Sequence, residues 1–545
     1  MKFNEDFQWR NKNLWIVLFA FFFLRIFLAA NFIMANDEVY YWDWSRNLQL
    51  SYIDAPPFVA WVSYIGQLIF KHELGARFLI PFLHIFSVIF LIKSTLILAK
   101  EKNKPVKNRT ILTLLILTEL CPVFHLEGFL LLPDAPLLFG ISGALYFILK
   151  SFSQLNFQNK LSIGNAICFG FFLGVGALSK YHTLPIAIGF FVAALLIRRQ
   201  KTWTSDFLFW FFSILTAVLV SSPVFIWNYQ NHFASFIFQT QHGFSEMSLD
   251  LKAFSRYLFG TIMYLFPWIF IPMMWFAFKN TTLLRFLFSK KQELIPSQLI
   301  LFCLMPFFFL FFIILFSALG KQALPHWAMP GFFLLIPAFV LQWDPLENLN
   351  KKISVFFLSF SLFISVFIPL AVSFPSCQQW LMDRFVSITG NADPLAGAML
   401  WKDLELKLKE QKNLQIPDET YAHQLSPDYC KTHPLSLGSF RWFWTAQMAF
   451  YFQKQPRVFN FDFSSSSFYT WRDPLEKLAG CRFLLIGSPD HFNEENLKKI
   501  MSIEKKEILT VSPFDQTKIL YLEGVIKDKE TLFKTSQNLK NNIHY

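Results

Sequence analysis

Charge is scarce in this chain. Only 16% of its 545 residues are Asp, Glu, Lys or Arg, against about 25% in soluble domains. Familiar site signatures are missing too. There is no CxxC pair, no HExxH, no P-loop and no GxGxxG fingerprint, so no motif points to dithiol redox chemistry, a zincin centre or nucleotide binding. A cleavable leader is also not evident. The flank MKFNEDFQWRNKN is mixed in charge and no small-residue cleavage site follows the first apolar run; that run is expected to remain as a helix.

Apolar residues make up 54% of the chain, with 71 Phe. A hydrocarbon core of about 30 Å needs roughly 20 apolar residues per helix, and such runs recur through the first two thirds. Spans are expected near 14–34, 76–99, 110–126, 134–150, 161–178, 183–198, 205–227, 256–278, 297–319, 325–343 and 353–374. This pattern describes a polytopic α-helical membrane protein with about 11–13 transmembrane helices. The net charge of +12 is then a matter of topology, and no nucleic-acid partner is expected.

Alternate connections, including KEKNKPVKNR and RRQK, hold roughly nineteen Lys and Arg with the N-terminal flank, the opposite ones roughly seven; the positive-inside rule places the rich side in the cytoplasm. The N-terminus is then cytoplasmic. The other face holds NDEVYYWDWSRNLQLSYIDAPPF, HLEGFLLLPDAP, SKYH, NYQNHFASFIFQTQHGFSEM and GKQALPHW. Most of the acids and nearly all the His of the membrane part gather there, which argues for an extracytoplasmic site. The tail, 376–545, has short β-type runs such as PRVFNFDF and CRFLLIGSP and is expected to form a soluble extracytoplasmic α/β domain after a membrane domain of 1–375. Cys377, Cys430 and Cys481 lie in it, where one disulfide is permitted with its pairing open. Cys121, Cys168 and Cys303 read as small core residues.

The first outer loop, 35–75, is the richest stretch. Asp37 and Glu38 precede Tyr40, Tyr41, Trp42, Asp43 and Trp44. The bland reading is a solvated helix end in an aromatic belt. The functional reading is a carboxylate at a low-dielectric surface, with a raised pKa suited to a general base; SYIDAPPFVAWVSYIG has the amphipathic look of an interfacial segment. Asp134, between two prolines where a span begins, is either an N-cap or a site acid. Lys180 and Lys321 either snorkel to headgroups or meet a phosphate. His242 and His326 are each weak alone, and no ligand spacing supports a metal, although a divalent ion stays open.

These residues, in this order, resemble bacterial membrane glycosyltransferases of the GT-C type, relatives of protein O-mannosyltransferases and of the lipid A aminoarabinose and galacturonic acid transferases. The carriers are DE, YYW-x-W-S and Y-x-D-x-PP in the first loop. LLPDAPLLF, GALSKYHTLPIAIGF, GKQALPHWAMPGFFLLIPAF and, in the tail, SFRWFWTAQMAFYF follow. The resemblance implies the GT-C fold and a polyprenyl-phosphate sugar donor. It further implies transfer with inversion at the outer face of the bacterial inner membrane, to lipid A, lipopolysaccharide or another envelope acceptor. Asp37 matches the catalytic carboxylate and Asp134 a second outer-loop acid; Lys180 and Lys321 match positions near donor phosphate. Glu38, Tyr41, Asp54, Tyr181, His242 and His326 are expected to contact substrates. One departure is Ala55, where the family often has His or Lys; the contact of that longer side chain would here come from Asp54, Lys71 or another loop, or be absent. O-glycosylation of envelope proteins and a flippase for a lipid-linked sugar are the competing functions.

Overall fold

Backbone amides in hydrocarbon have no water to pair with, so long apolar runs close their hydrogen bonds within helices. The computed structural model describes residues 12–103, 105–158, 161–197, 203–244, 250–280, 298–320, 323–343, 351–378, 380, 384, 401–412, 425, 428–462, 468–510 and 518–528. Six of its helices are long and apolar enough to cross a bilayer: Lys12–Asn31, His72–Glu101, Asp134–Gln154, Asp206–Gln230, Gln298–Leu319 and Lys352–Val372. Leu251–Leu265 and Pro267–Asn280 make a seventh if taken as one span, though they meet at 102°. Phe58–Ile69, Ile163–Ser179 and Thr183–Ile197 are apolar but shorter.

Proline accounts for part of the difference from the eleven runs expected. The run at 110–126 is two helices, Asn108–Glu119 and Pro122–Glu127, because Pro122 has no N–H to continue the ladder and suits a helix start. The run at 325–343 is likewise a 3-10 turn, Pro325–Ala328, ahead of helix Met329–Phe339. The sharpest break is at Phe266, whose φ is 64°, just before Pro267. Its ring is buried and stacks on Trp268 at 4.6 Å, and such packing holds a backbone conformation that costs an L-residue energy.

Helix Asp134–Gln158 lies between Ile80–Glu101 and Ile163–Ser179. A Cβ on Gly140 would fall 2.6 Å from the Gly176 nitrogen, so the second pair touches backbone to backbone, as small residues allow in membrane bundles. Asp134 starts one of these helices and Lys180 caps the other.

Near the C-terminus, strands β1 (Ser436–Ser439), β2 (Val458–Asn460), β3 (Arg482–Gly487), β4 (Met501–Thr510) and β5 (Lys518–Ile526) form one sheet in the order β2-β1-β3-β5-β4. β1 runs parallel to β2 and β3, with Leu437 opposite Val458 and Leu484; β5 is antiparallel to β3 and β4, with Leu485 opposite Leu522. β1 is buried throughout and β3 nearly so, as strands covered on both faces are. Cys430 is bridged to Cys481, and Cys377 is unbridged. The β1–β2 connection, helix Trp442–Tyr451, sits on the first-loop helix Asn36–Ser45. There Gln447 donates to the Met34 carbonyl (3.3 Å) and Asn36 Oδ1 (2.9 Å), and the Met34 N–H donates to Tyr451 Oη (3.2 Å).

Candidate active site

Successive side chains on a helix point about 100° apart, so the adjacent acids of Asn36–Ser45 part company. Glu38 is fully buried. Its two oxygens accept from Arg77 Nε and Nη2, each at 2.6 Å, and from the N–H groups of Leu131 (2.7 Å) and Ala35 (2.9 Å). Arg77 also donates to the carbonyls of Ala29, Phe32 and Ile33 at 3.3, 2.7 and 2.9 Å. The pair thus ties the end of the first span, the loop helix, helix His72–Arg77 and the strand of chain leading to Asp134. Glu38, expected to contact substrate, is instead a saturated internal clamp away from the cavity.

Asp37 is exposed into a cavity of about 1380 Å³. Tyr41, Asp54, Asp134, Lys180, Tyr181 and His326 line the same cavity. Residues that the sequence scatters over four outer connections therefore converge. Lys321 lies outside the described residues, and so does the side chain of His242, whose backbone is in helix Ala234–Phe244. Ala55 forms part of the wall, whereas Lys71 is exposed and does not.

Lys180 Nζ donates to both Asp134 oxygens, at 2.8 and 2.9 Å. Its position at the carbonyl end of Ile163–Ser179 suits a cation. Tyr40 donates to Asp54 Oδ2 at 2.5 Å, and Gln239 Nε2 to the Asp54 carbonyl at 2.6 Å. Burial pushes the Asp54 carboxyl up to about 6 against the opposing pull of the Tyr40 bond. Burial also raises Asp37, the Glu38 charge adds to the shift, and Lys180 opposes it. His326 is brought down to about 4 by burial and the Lys180 cation, and the same causes depress His182. Both imidazoles are therefore neutral at pH 7. Among the described residues, no three His, Cys, Asp or Glu side chains gather closely enough to hold a metal ion.

Glu127, His182, Gln239, Tyr264, Trp327 and Trp442 also line the cavity, and sequence reasoning did not single them out as site residues. Glu127 shares HLEGFLLLPDAP with Asp134 and His182 shares SKYH with Lys180, so neighbourhood was a usable signal for those two. Trp442 lies in the tail segment SFRWFWTAQMAFYF, which carried the resemblance without pointing to a site residue. The tail also closes over Tyr40: the Phe468 N–H donates to Tyr40 Oη at 2.8 Å, and the Trp442 ring is 5.0 Å away. Arg472 reaches Asp43 Oδ2 at 2.8 Å.

The far part of the cavity is apolar. Ile188, Phe191, Ile214, Val218, Phe225 and Ile313 line it while staying substantially exposed on helices Thr183–Ile197, Trp203–Gln230 and Leu301–Leu319. One cavity thus joins polar groups to an apolar wall carried by three helices.

Residues 54–227 match the family model described as dolichyl-phosphate-mannose-protein mannosyltransferase. The lipid A galacturonosyltransferase RgtD of Rhizobium johnstonii is 25% identical over 347 residues, 62% of this chain and 66% of that protein; the match spans just under two thirds of the relative's length. ArnT from Cupriavidus metallidurans in the apo state superposes with a TM-score of 0.56 at 16% identity, covering 93% of this chain and 97% of that one. The same protein bound to undecaprenyl phosphate gives 0.52 at 15% identity, with the same coverage. The fold is the one these proteins share.

Proposed function

We propose that this chain, a membrane glycosyltransferase of the GT-C type by fold and by family likeness, moves a sugar from a polyprenyl-phosphate donor to lipid A or a related envelope glycan. One observation carries the reading: a single cavity joins Asp37 and the Lys180–Asp134 pair to an apolar wall of exposed Ile, Phe and Val side chains. A prenyl chain suits that wall, and its phosphate then lies where Lys180 can reach it. The names of the relatives support both ends of the scheme, lipid A for RgtD and undecaprenyl phosphate for ArnT.

In this scheme the acceptor oxygen attacks the anomeric carbon opposite the phosphate. The carbon–oxygen bond to phosphate breaks, its electron pair leaves with the phosphate, and the sugar carbon inverts. Lys180 stabilises that departing charge. Where the acceptor is a hydroxyl, Asp37 takes its proton. Where it is a lipid A phosphate, already ionised, Asp37 orients it. The scheme as written uses no cofactor beyond the lipid donor. We place the N-terminus in the cytoplasm and 376–545 in the periplasm, where the Cys430–Cys481 bridge would be kept oxidised.

Intact mass spectrometry of lipid A tests this in cells carrying the wild type, a deletion, or Asp37→Asn at equal membrane abundance. One sugar's mass should vanish in the deletion, and the fraction of lipid A carrying it should collapse in the variant, since losing a general base slows turnover by about 10²–10⁴-fold. Persistence of the sugar in Asp37→Asn removes Asp37 from the chemistry. The family model's protein mannosyltransferase description favours a second reading, transfer to envelope proteins. It takes over if lipid A is unchanged in the deletion and a glycoprotein loses mass instead.

A further inference from the structure

The scheme above leaves one carboxyl of the cavity unused. Glu127 ends the short helix Pro122–Glu127, is 3% exposed and lines the cavity. Its Oε2 is buried with no hydrogen-bond partner among the described residues. Buried polar atoms are nearly always paired, because desolvation without a partner is costly; a small turn of the carboxyl towards the cavity that the residue lines would let a ligand supply the missing partner.

The charged and titratable groups around Glu127 are Asp134, Lys180, Tyr264 and Cys121. Lys180 is already held by both oxygens of Asp134. Burial, reinforced by the Asp134 charge, pushes Glu127 well above the usual carboxylate range. Protonated, its carboxyl offers one O–H donor as well as acceptor oxygens. Its backbone is fixed from behind. A Cβ on the next residue, Gly128, would lie 2.3 Å from Arg25 Nε, and Arg25 is itself anchored to Glu119 at 2.5 Å.

We propose that Glu127 is a sugar-binding residue, its carboxyl hydrogen-bonding a ring hydroxyl of the donor in the cavity that Asp37 shares. A hydroxyl both donates and accepts, so it can donate to one carboxyl oxygen and accept the hydrogen bond of the acid's O–H in the same contact. Phosphate recognition stays with Lys180. The inference rests on the glycosyltransferase reading and names the group that reads the sugar end of its donor.

The test is binding by the full-length protein in detergent, followed as ligand-induced thermal shift. The probes are undecaprenyl phosphate and the same lipid carrying mannose, galacturonate or aminoarabinose. At least one sugar-bearing probe should bind wild type more tightly than the bare lipid, by roughly three- to tenfold, the range one net hydrogen bond gives. Glu127→Ala should lose that increment and keep its affinity for undecaprenyl phosphate. Glu127→Met, filling the space without polar atoms, should behave the same way if the alanine variant does not fold. Glu127→Gln, uncharged and still a donor and acceptor, should keep most of the increment. An unchanged increment in the alanine and methionine variants overturns the proposal. So does its full loss in Glu127→Gln, or a wild type that prefers no sugar-bearing probe. A wild type that binds no probe at all, bare lipid included, overturns the donor reading itself.

Discussion

Asp37 and Glu38 are chemically near-identical neighbours with opposite fates. The sequence names both as site acids because a dipeptide carries no direction; the helix sends one to the cavity and the other to Arg77, 39 residues away. Removing the Glu38 carboxylate leaves a fully buried guanidinium without its counter-charge, and such losses cost about 3–5 kcal/mol. Glu38→Ala should therefore lower the melting temperature and folded yield; a variant that melts like wild type but has a raised donor KM would restore the substrate-contact reading. Asp54 carries a pH signature. Its ordinary value is 3.8 and its folded value about 6, so the folded state binds the proton more tightly. Stability from this group is complete below about pH 4, declines as pH rises to about 6, and is flat beyond. The melting temperature of Asp54→Asn relative to wild type should climb across that window and then level. A difference that stays constant from pH 4 to 7 would contradict the shift. For Asp37 the sign concerns activity: a hydroxyl acceptor needs the ionised base, so kcat should fall on acidification with a midpoint above the ordinary carboxylate value.

Among the elements, legibility followed locality. Asp134, Lys180, Tyr181 and His326 could be picked out because each sits where an apolar run ends, and a charged or polar group at such a boundary stands out. The helix breaks were less legible, since averaging hydropathy over a window hides Pro122 and Pro267. Invisible too was the close approach of Gly140 to Gly176, which sets the spacing of the two helices that present Asp134 and Lys180. Gly140→Ala would place a methyl 2.6 Å from the Gly176 nitrogen and push those helices apart. Misplacement of about 1 Å can cost 10²-fold, so this variant should lose one to two orders of magnitude in turnover at near-normal membrane abundance. Wild-type turnover would show that the pair re-forms without that spacing.

At the scale of the whole molecule, the sheet is coupled to the site through Tyr40, Trp442 and Arg472. The Cys430–Cys481 bridge, across a sequence separation of 51, encloses β1 and β2 and ends just before β3. Loops of this size gain about 2–4 kcal/mol from a disulfide. Cys430→Ser with Cys481→Ser should loosen the sheet and, through the Phe468–Tyr40 hydrogen bond, raise donor KM as well as lower the melting temperature. An unaltered KM would mean that the tail folds independently of the catalytic face. The sequence indicated an α/β tail from its β-type runs, but which cysteines pair depends on long-range register.

The apolar cavity wall of Ile188, Ile214 and Phe225, read as the donor's path from the bilayer, has a consequence for how rates are measured. A donor that arrives sideways through lipid is counted per unit of surface, not per litre. Diluting a whole proteoliposome suspension with buffer should leave the turnover of donor embedded with the enzyme unchanged, while adding inert phospholipid at constant volume should slow it in proportion. The enzyme would then obey surface-dilution kinetics, and its affinity constant for donor would be a mole fraction.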